Sequence, residues 1–173
     1  MKDLWLLKHD RSVAPDAVPE ALRGAAGIQS MRAMEGPWTY IYAPGDLAFA
    51  AHGTGPGISW HRLKCLQRLD GASAGEIASC HYVVETDVLA EHEDDLNAWY
   101  EQEHLPGLAS VPGTVRAARY LDAGGAPRYY ACYDLASPDV LGNPAWLAVR
   151  GTAWSARVRP AFRNTRRTMF RRE

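Results

Sequence analysis

The run Asp94-Asp95-Leu96-Asn97-Ala98-Trp99-Tyr100-Glu101-Gln102-Glu103-His104-Leu105-Pro106-Gly107-Leu108 concentrates side chains able to move protons and to hold a flat substrate. At helical spacing Leu96, Tyr100 and His104 form one stripe with Trp99 and Glu103 alongside, while Glu101 and Gln102 point elsewhere. Pro106 disfavours helical geometry at Leu105, so the pattern predicts a helix over Glu93–Leu105 that ends there. His104 then stands in the last turn, where the partial negative charge of the helix end, and Glu103, would raise its pKa. A histidine so placed suits acid/base work near neutral pH. The same spacing is met by a histidine that caps the final carbonyls or bonds a neighbouring strand, and spacing alone does not separate the two.

Other residues add to this picture. In Arg116-Ala117-Ala118-Arg119-Tyr120 strand alternation puts Arg119 on the face of Ala117 and Leu121, opposite Arg116 and Tyr120. A guanidinium there is fit to hold a carboxylate or stabilise an enolate, or to pair with the acidic helix. Aromatic residues are plentiful, and Tyr40, Trp99 and Tyr130 are candidates to line a pocket for a flat hydrophobic compound; core packing explains aromatics equally well. Tyr130 is expected in the strand beside the His104 helix. His81, alternating with Tyr82 between two faces, is a further pocket candidate.

Several chemistries lack their signatures. No His-x-x-x-His or comparable ligand spacing occurs, so a metal site is not expected. Gly53-Thr54-Gly55-Pro56-Gly57 lacks the Lys-Ser/Thr ending of a phosphate loop, and no serine sits in a Gly-x-Ser-x-Gly elbow. Cys65, Cys80 and Cys132 are odd in number and widely spaced, which fits reduced, buried thiols.

The elements that must position these residues follow from periodicity and turn signals. Strands are expected over Asp3–Lys8, Ala78–Val88, Thr114–Asp122, Arg128–Asp134 and Thr165–Arg172, with a hairpin over Ile28–Glu35 and Trp38–Ala43. Helices are expected over Asp16–Ala26 and Pro144–Phe162, and Asp46–His52 looks helical. Ile58–Leu69 fits a helix better than a strand. Residues 71–77, small and polar, read as a flexible linker between a half spanning 1–70 and one spanning 78–173. The halves repeat: Gly27 matches Gly113, Leu22 matches Leu108, and Pro37-Trp38-Thr39-Tyr40 matches Pro127-Arg128-Tyr129-Tyr130. The expected fold class is α+β, a duplicated ferredoxin-like β-α-β-β-α unit whose two sheets enclose an α/β barrel.

Hydrophobic residues at 47% and charged residues at 23% are globular values over 173 residues. A formal charge of −1 argues against a nucleic-acid surface. No apolar run approaches the roughly 20 residues of a membrane span, and Leu4–Leu7 is too short for a signal peptide, so a cytoplasmic, membrane-free protein is expected. Glu85–Glu103 contains no Lys or Arg and Arg157–Arg172 no acid. Such blocks are read as two solvated faces, with pairing inside the fold or across a homodimer as the alternative.

Asn97-Ala98-Trp99-Tyr100-Glu101-Gln102-Glu103-His104-Leu105-Pro106-Gly107-Leu108, followed by Val111-Pro112-Gly113-Thr114-Val115-Arg116-Ala117-Ala118-Arg119-Tyr120, resembles the EthD-like proteins of the dimeric α/β-barrel superfamily. There a helix carrying a Trp/Tyr-Tyr-x-x-x-His-x-Pro pattern leads through a Pro-Gly turn into a strand. The resemblance covers Ala78–Tyr133 closely and the rest of the second half loosely; the first half matches only through the repeat, and nothing at Val18 or Pro19 reproduces the histidine motif. It implies a barrel with a largely apolar pocket and a small hydrophobic substrate. The expected activity is cofactor-independent acid/base chemistry on an aromatic or polyketide-like carbonyl compound: isomerisation, cyclisation or ring opening. In it His104 is the acid/base, Tyr100 and Tyr130 position the substrate and Arg119 stabilises negative charge. The alternatives are a cofactor-free monooxygenase, a haem enzyme with His104 or His81 as axial ligand, and a non-catalytic carrier of a hydrophobic ligand.

Overall fold

Eight antiparallel strands close on themselves in the order β1-β3-β2-β8-β5-β7-β6-β4. They are β1 (Leu4–Asp10), β2 (Gln29–Ala33), β3 (Trp38–Pro44), β4 (Ile58–Asp70), β5 (Cys80–Val88), β6 (Thr114–Asp122), β7 (Tyr129–Leu135) and β8 (Phe162–Arg172). Helices α1 (Glu93–Trp99), α2 (Leu105–Ala109), α3 (Pro144–Arg150) and α4 (Ala153–Val158) belong to the second half. The computed structural model describes residues 2–13, 22, 26–46 and 55–173. The helices expected over Asp16–Ala26 and Asp46–His52, and the start of the glycine-rich loop, lie, isolated residues aside, outside the described residues.

The order β1-β3-β2 is repeated as β5-β7-β6, and each half donates its last strand to both: β4 pairs with β1 and β6, and β8 with β5 and β2. Gly27 and Gly113, matched in the repeat, have φ of 81° and 90° just ahead of β2 and β6. Only glycine takes that left-handed turn cheaply.

Strand alternation separates two large cores, beside a small one of Leu7, Leu22, Ile41 and Ala43. One cluster draws a residue from every strand, Leu6, Met31, Tyr40, Leu63, Val83, Tyr120, Tyr130 and Phe170 among them, and therefore fills the barrel. The other joins the outward residues of β5–β7, such as Val84, Ala117, Tyr129 and Tyr133, to Leu96, Trp99, Leu105 and Leu108 of the helical layer. Each such fully buried side chain contributes roughly 1.5–3 kcal/mol over an exposed one. Burial on both faces explains the near-continuous apolar runs of β3 and β7.

Two expectations change: the helix expected over Pro144–Phe162 breaks after Arg150 and gives way to β8 at Phe162, and the one expected over Ile58–Leu69 is a strand. Ile58–Asp70 is a 13-residue strand, not a helix, held by β1 on one side and β6 on the other, with a bulge between Cys65 and Gln67. Of residues 71–77 the first three are pinned to β6 and α2. Gly71, Ala72 and Ser73 donate backbone bonds to Val115, Ala109 and Thr114 at 2.8–3.0 Å. A Cβ on Gly71 would stand 2.0 Å from the Thr114 carbonyl oxygen. The charged blocks touch at an exposed pair, as solvated faces allow: Arg157 sets Nε and Nη2 on the two Asp95 carboxylate oxygens at 3.0 and 2.7 Å, with side chains 62% and 33% exposed.

Candidate active site

Glu93, Asp94 and Asp95 crowd the first turn of α1, where carboxylates complement the helix dipole. After Trp99 the helix widens into a π turn over Tyr100–His104, in which the Leu105 amide bonds the Tyr100 carbonyl five residues back. The chain then continues as α2 to Ala109, with Pro106 in its first turn. A proline is tolerated there because its missing N–H falls where the ladder has already shifted. His104 is thus mid-helix, not at a helix end as expected.

The consequence is electrostatic. Burial, then the positive charges of Arg159 and Arg150, lower the His104 pKa to about 3, opposite to the rise expected. The imidazole is neutral at physiological pH. Its ring lies flat on the Trp99 indole, and Tyr100 meets both rings edge-on, 4.7 Å from Trp99 and 5.3 Å from His104 between centroids. Glu103 accepts the Trp99 Nε1–H at 3.2 Å and the Thr152 hydroxyl at 2.6 Å, tying the indole to α4.

Under this helix a cavity is bordered by Tyr82, Trp99, Tyr100, His104, Tyr133 and Phe162, with Arg150, Arg159 and Arg167 around it. Its enclosed part is about 30 Å³, and unfilled space out to the open mouth is about 370 Å³. Nδ1 of His104, the Tyr133 hydroxyl and Nε of Arg159 are all buried without a hydrogen-bond partner. Most buried polar groups in proteins are paired, so three orphans around one cavity mark a place built for something else to bind. Burial holds the Tyr82 and Tyr133 phenols protonated, as donors.

The residues singled out in the sequence fall into two sets. His104, Tyr100 and Trp99 meet as described, and Arg119 lies against the other side of Tyr100, its guanidinium 4.3 Å from that ring. Arg119 does not border the His104 cavity. Tyr130, His81 and Tyr40 are on the opposite face of the sheet, inside the barrel. There Tyr40 donates to Glu85, Lys8 bonds Glu85 at 3.1 Å, and the Lys8 ammonium stands 4.7 Å from the Tyr130 ring. His81 has both nitrogens engaged, Nδ1 with Asp134 at 2.8 Å and Nε2 with the Tyr42 hydroxyl at 3.1 Å, so it has none to offer an iron. The expected pocket contacts from these three residues are therefore corrected: a sheet separates them from His104.

Sequence reasoning missed Tyr82, Tyr133, Arg150, Arg159 and Arg167. The two tyrosines are the alternation partners of His81 and Tyr130's strand, and the basic run near the C-terminus was the one visible sign of the arginines. Cys65, Cys80 and Cys132 are free and buried, and no group of three potential ligands that could hold a metal occurs among the described residues. A haem would find an unpaired neutral imidazole and arginines for its carboxylates, but the slot between helix and sheet is too small for a porphyrin. Among the described residues no helix is long and apolar enough to cross a membrane.

No family model and no curated protein matches the chain. Solved structures do. An anthrone oxidase-like protein is 16% identical over 100% of this chain and 92% of its own, with a TM-score of 0.61. A ferredoxin-fold protein of Listeria monocytogenes related to antibiotic biosynthesis monooxygenases is 9% identical over 100% and 95%, at 0.63. The haem-degrading enzyme of the same organism is 7% identical over 98% and 99%, at 0.60. At such identities the likeness is one of fold alone: the chain is an α+β, ferredoxin-like barrel.

Proposed function

We propose that the protein is a monooxygenase-type enzyme that oxidises a small, flat, hydrophobic carbonyl compound of aromatic or polyketide-like character, beginning with proton transfer to His104. The observation that carries this reading is the grouping of a neutral, unpaired imidazole, an unpaired phenol and three arginines around one aromatic cavity. The monooxygenase-related and anthrone oxidase-like neighbours support it over isomerisation or cyclisation. The EthD-like resemblance supports it too, because the helix and Pro-Gly turn that carry the resemblance are those that carry the histidine.

Arg150, Arg159 and Arg167 attract a substrate with acidic or enolic character. Burial is the first cause of the low His104 pKa and stays in place, but that negative charge offsets the contribution of the two arginines, so its basicity rises as the substrate binds. The imidazole takes a proton from the carbon beside the carbonyl, and the Tyr133 hydroxyl donates to the oxygen on which negative charge develops. Dioxygen accepts the carbanion's electrons. One of its oxygen atoms stays on that carbon as a new carbonyl, and the other leaves as water with the two hydrogens of the original methylene group, so that atoms and electrons balance. Tyr100 and Trp99 hold the imidazole by ring contacts. Without dioxygen the same proton transfer yields isomerisation.

The test is oxygen uptake by the purified protein on a panel of one- to three-ring hydroxylated aryl ketones, with product mass spectrometry and an absorbance scan for bound haem. Expected are products in which one oxygen has replaced two hydrogens, and a loss of about 100-fold or more in His104→Ala that remains folded. Binding without turnover across the panel would instead make the protein a carrier. A haem band that follows His104 would move the chemistry to iron.

A further inference from the structure

On the other side of Tyr100 from the His104 cavity lies a second and roomier one, of about 280 Å³, bordered by Leu66, Gln67, Asn97, Arg119, Leu121 and Tyr129, with Glu101 at its rim. We infer that this cavity is a binding site for a planar aromatic monocarboxylate carrying a hydroxyl group, with Arg119 as the partner of the carboxylate. The inference is separate from the reading of the His104 cavity.

Arg119 is only 3% exposed, and it has no ion pair among the described residues. Its Nε and Nη2 are buried and without a hydrogen-bond partner. A guanidinium stays charged even where burial lowers its pKa, as it does here, and a buried charge without a counter-ion is expensive. Two aromatic rings hold it: Tyr100 at 4.3 Å and Tyr129 at 4.5 Å from the guanidinium carbon. Such ring contacts fix its plane and weakly favour the cation, but they accept no N–H group in place of an anion. The acid whose charge reaches it, Glu93, is already taken by the Tyr129 hydroxyl and Arg128.

A carboxylate entering the cavity would supply the missing charge and take the free N–H groups in the planar geometry that guanidinium prefers. Leu66, Leu121 and the Tyr129 ring offer an apolar, flat-walled space for the body of the ligand. The Asn97 side-chain oxygen, also bordering the cavity, is buried and unpaired, while its Nδ2 points to the Tyr129 hydroxyl at 3.4 Å. It is an acceptor waiting for a donor, which a ligand hydroxyl provides. Glu101 at the rim disfavours a second negative charge, so a monoanion is selected over a dicarboxylate.

The test is isothermal titration of the full chain with benzoate, the three hydroxybenzoates, phthalate and uncharged benzamide. Expected is binding of benzoate, at least one hydroxybenzoate binding tighter, and benzamide and phthalate at least 10-fold weaker. Arg119→Met should abolish benzoate binding while His104→Ala keeps it, since the latter belongs to the other cavity. Should Arg119→Met fail to fold, Leu66→Trp, which fills the cavity from its far wall, must abolish binding with Arg119 in place. Absence of benzoate binding, equal binding of benzamide, or binding that survives Arg119→Met or Leu66→Trp overturns the inference. A failure of the oxygen-uptake test leaves it standing.

Discussion

The His104 imidazole is stacked on the Trp99 indole with ring centroids 4.0 Å apart and planes 20° from parallel. Residues five apart share a face here because of the π turn between them; in a regular α-helix they would diverge. The stack buries the imidazole, and that burial makes it a neutral group.

His104 should make the protein acid-sensitive. Its pKa is near 6.5 in the unfolded chain and about 3 when folded, so between those values the unfolded chain binds more protons and stability falls as pH falls. At full effect, below the folded-state pKa, this amounts to about 5 kcal/mol. Urea melts from pH 7 to pH 4 should show the loss, and His104→Phe should show less of it. Equal slopes in the two proteins would refute the assignment.

Arg159 and Arg150 both depress His104, second to burial. Arg159→Gln should therefore raise its pKa part of the way towards 6.5, and Arg150→Gln should do so by less. Proton NMR of the ring hydrogens against pH reads this directly, and an unmoved titration would show that neither charge reaches the imidazole.

Inside the barrel, Lys8 and Glu85 form an ion pair with side-chain exposures of 7% and 2%. Glu85→Ala leaves a buried ammonium without a partner and should cost about 3–5 kcal/mol, whereas Lys8→Met combined with Glu85→Leu should cost far less. Chemical denaturation of Glu85→Ala, Lys8→Met, Glu85→Leu and the double variant decides; a double loss equal to the sum of its two single losses would mean that the two charges are not coupled.

Gly71→Ala should destabilise by at least about 1–3 kcal/mol, because its Cβ would meet backbone of β6 at 2.0 Å. Gly75→Ala, with nothing within 4 Å of its Cβ, should change stability by less than about 0.5 kcal/mol. Thermal melts that rank the two equally would contradict the packed turn described above.

Much of the second half was legible in the sequence. Expected strands over Ala78–Val88, Thr114–Asp122 and Arg128–Asp134 lie within two residues of β5, β6 and β7 at each end, since turn signals bracket each run. Alternation also placed Arg119 on the face of Ala117 and Leu121. The Tyr129-Tyr130 doublet was harder, because two adjacent aromatics satisfy either phase; Tyr129 faces the helices and Tyr130 the barrel, which removed Tyr130 from the site. In Ile58–Asp70 charged residues on the outward face and a bulge blur the period of two, and pairing with β1 and β6 overrides the local helical pattern. The π turn left no mark on the sequence beyond Pro106, whose usual meaning is a helix end.

The exchange of β4 and β8 between the halves has a thermodynamic consequence. Each sheet is completed by a strand from the other half, so neither 1–70 nor 78–173 keeps all its ladder partners when separated. A cut at the Gly71–Glu76 turn would release no independently folding piece, only two chains that must find each other again. Strands β4 and β8 are thus the seams of the barrel, each flanked by a strand of either half.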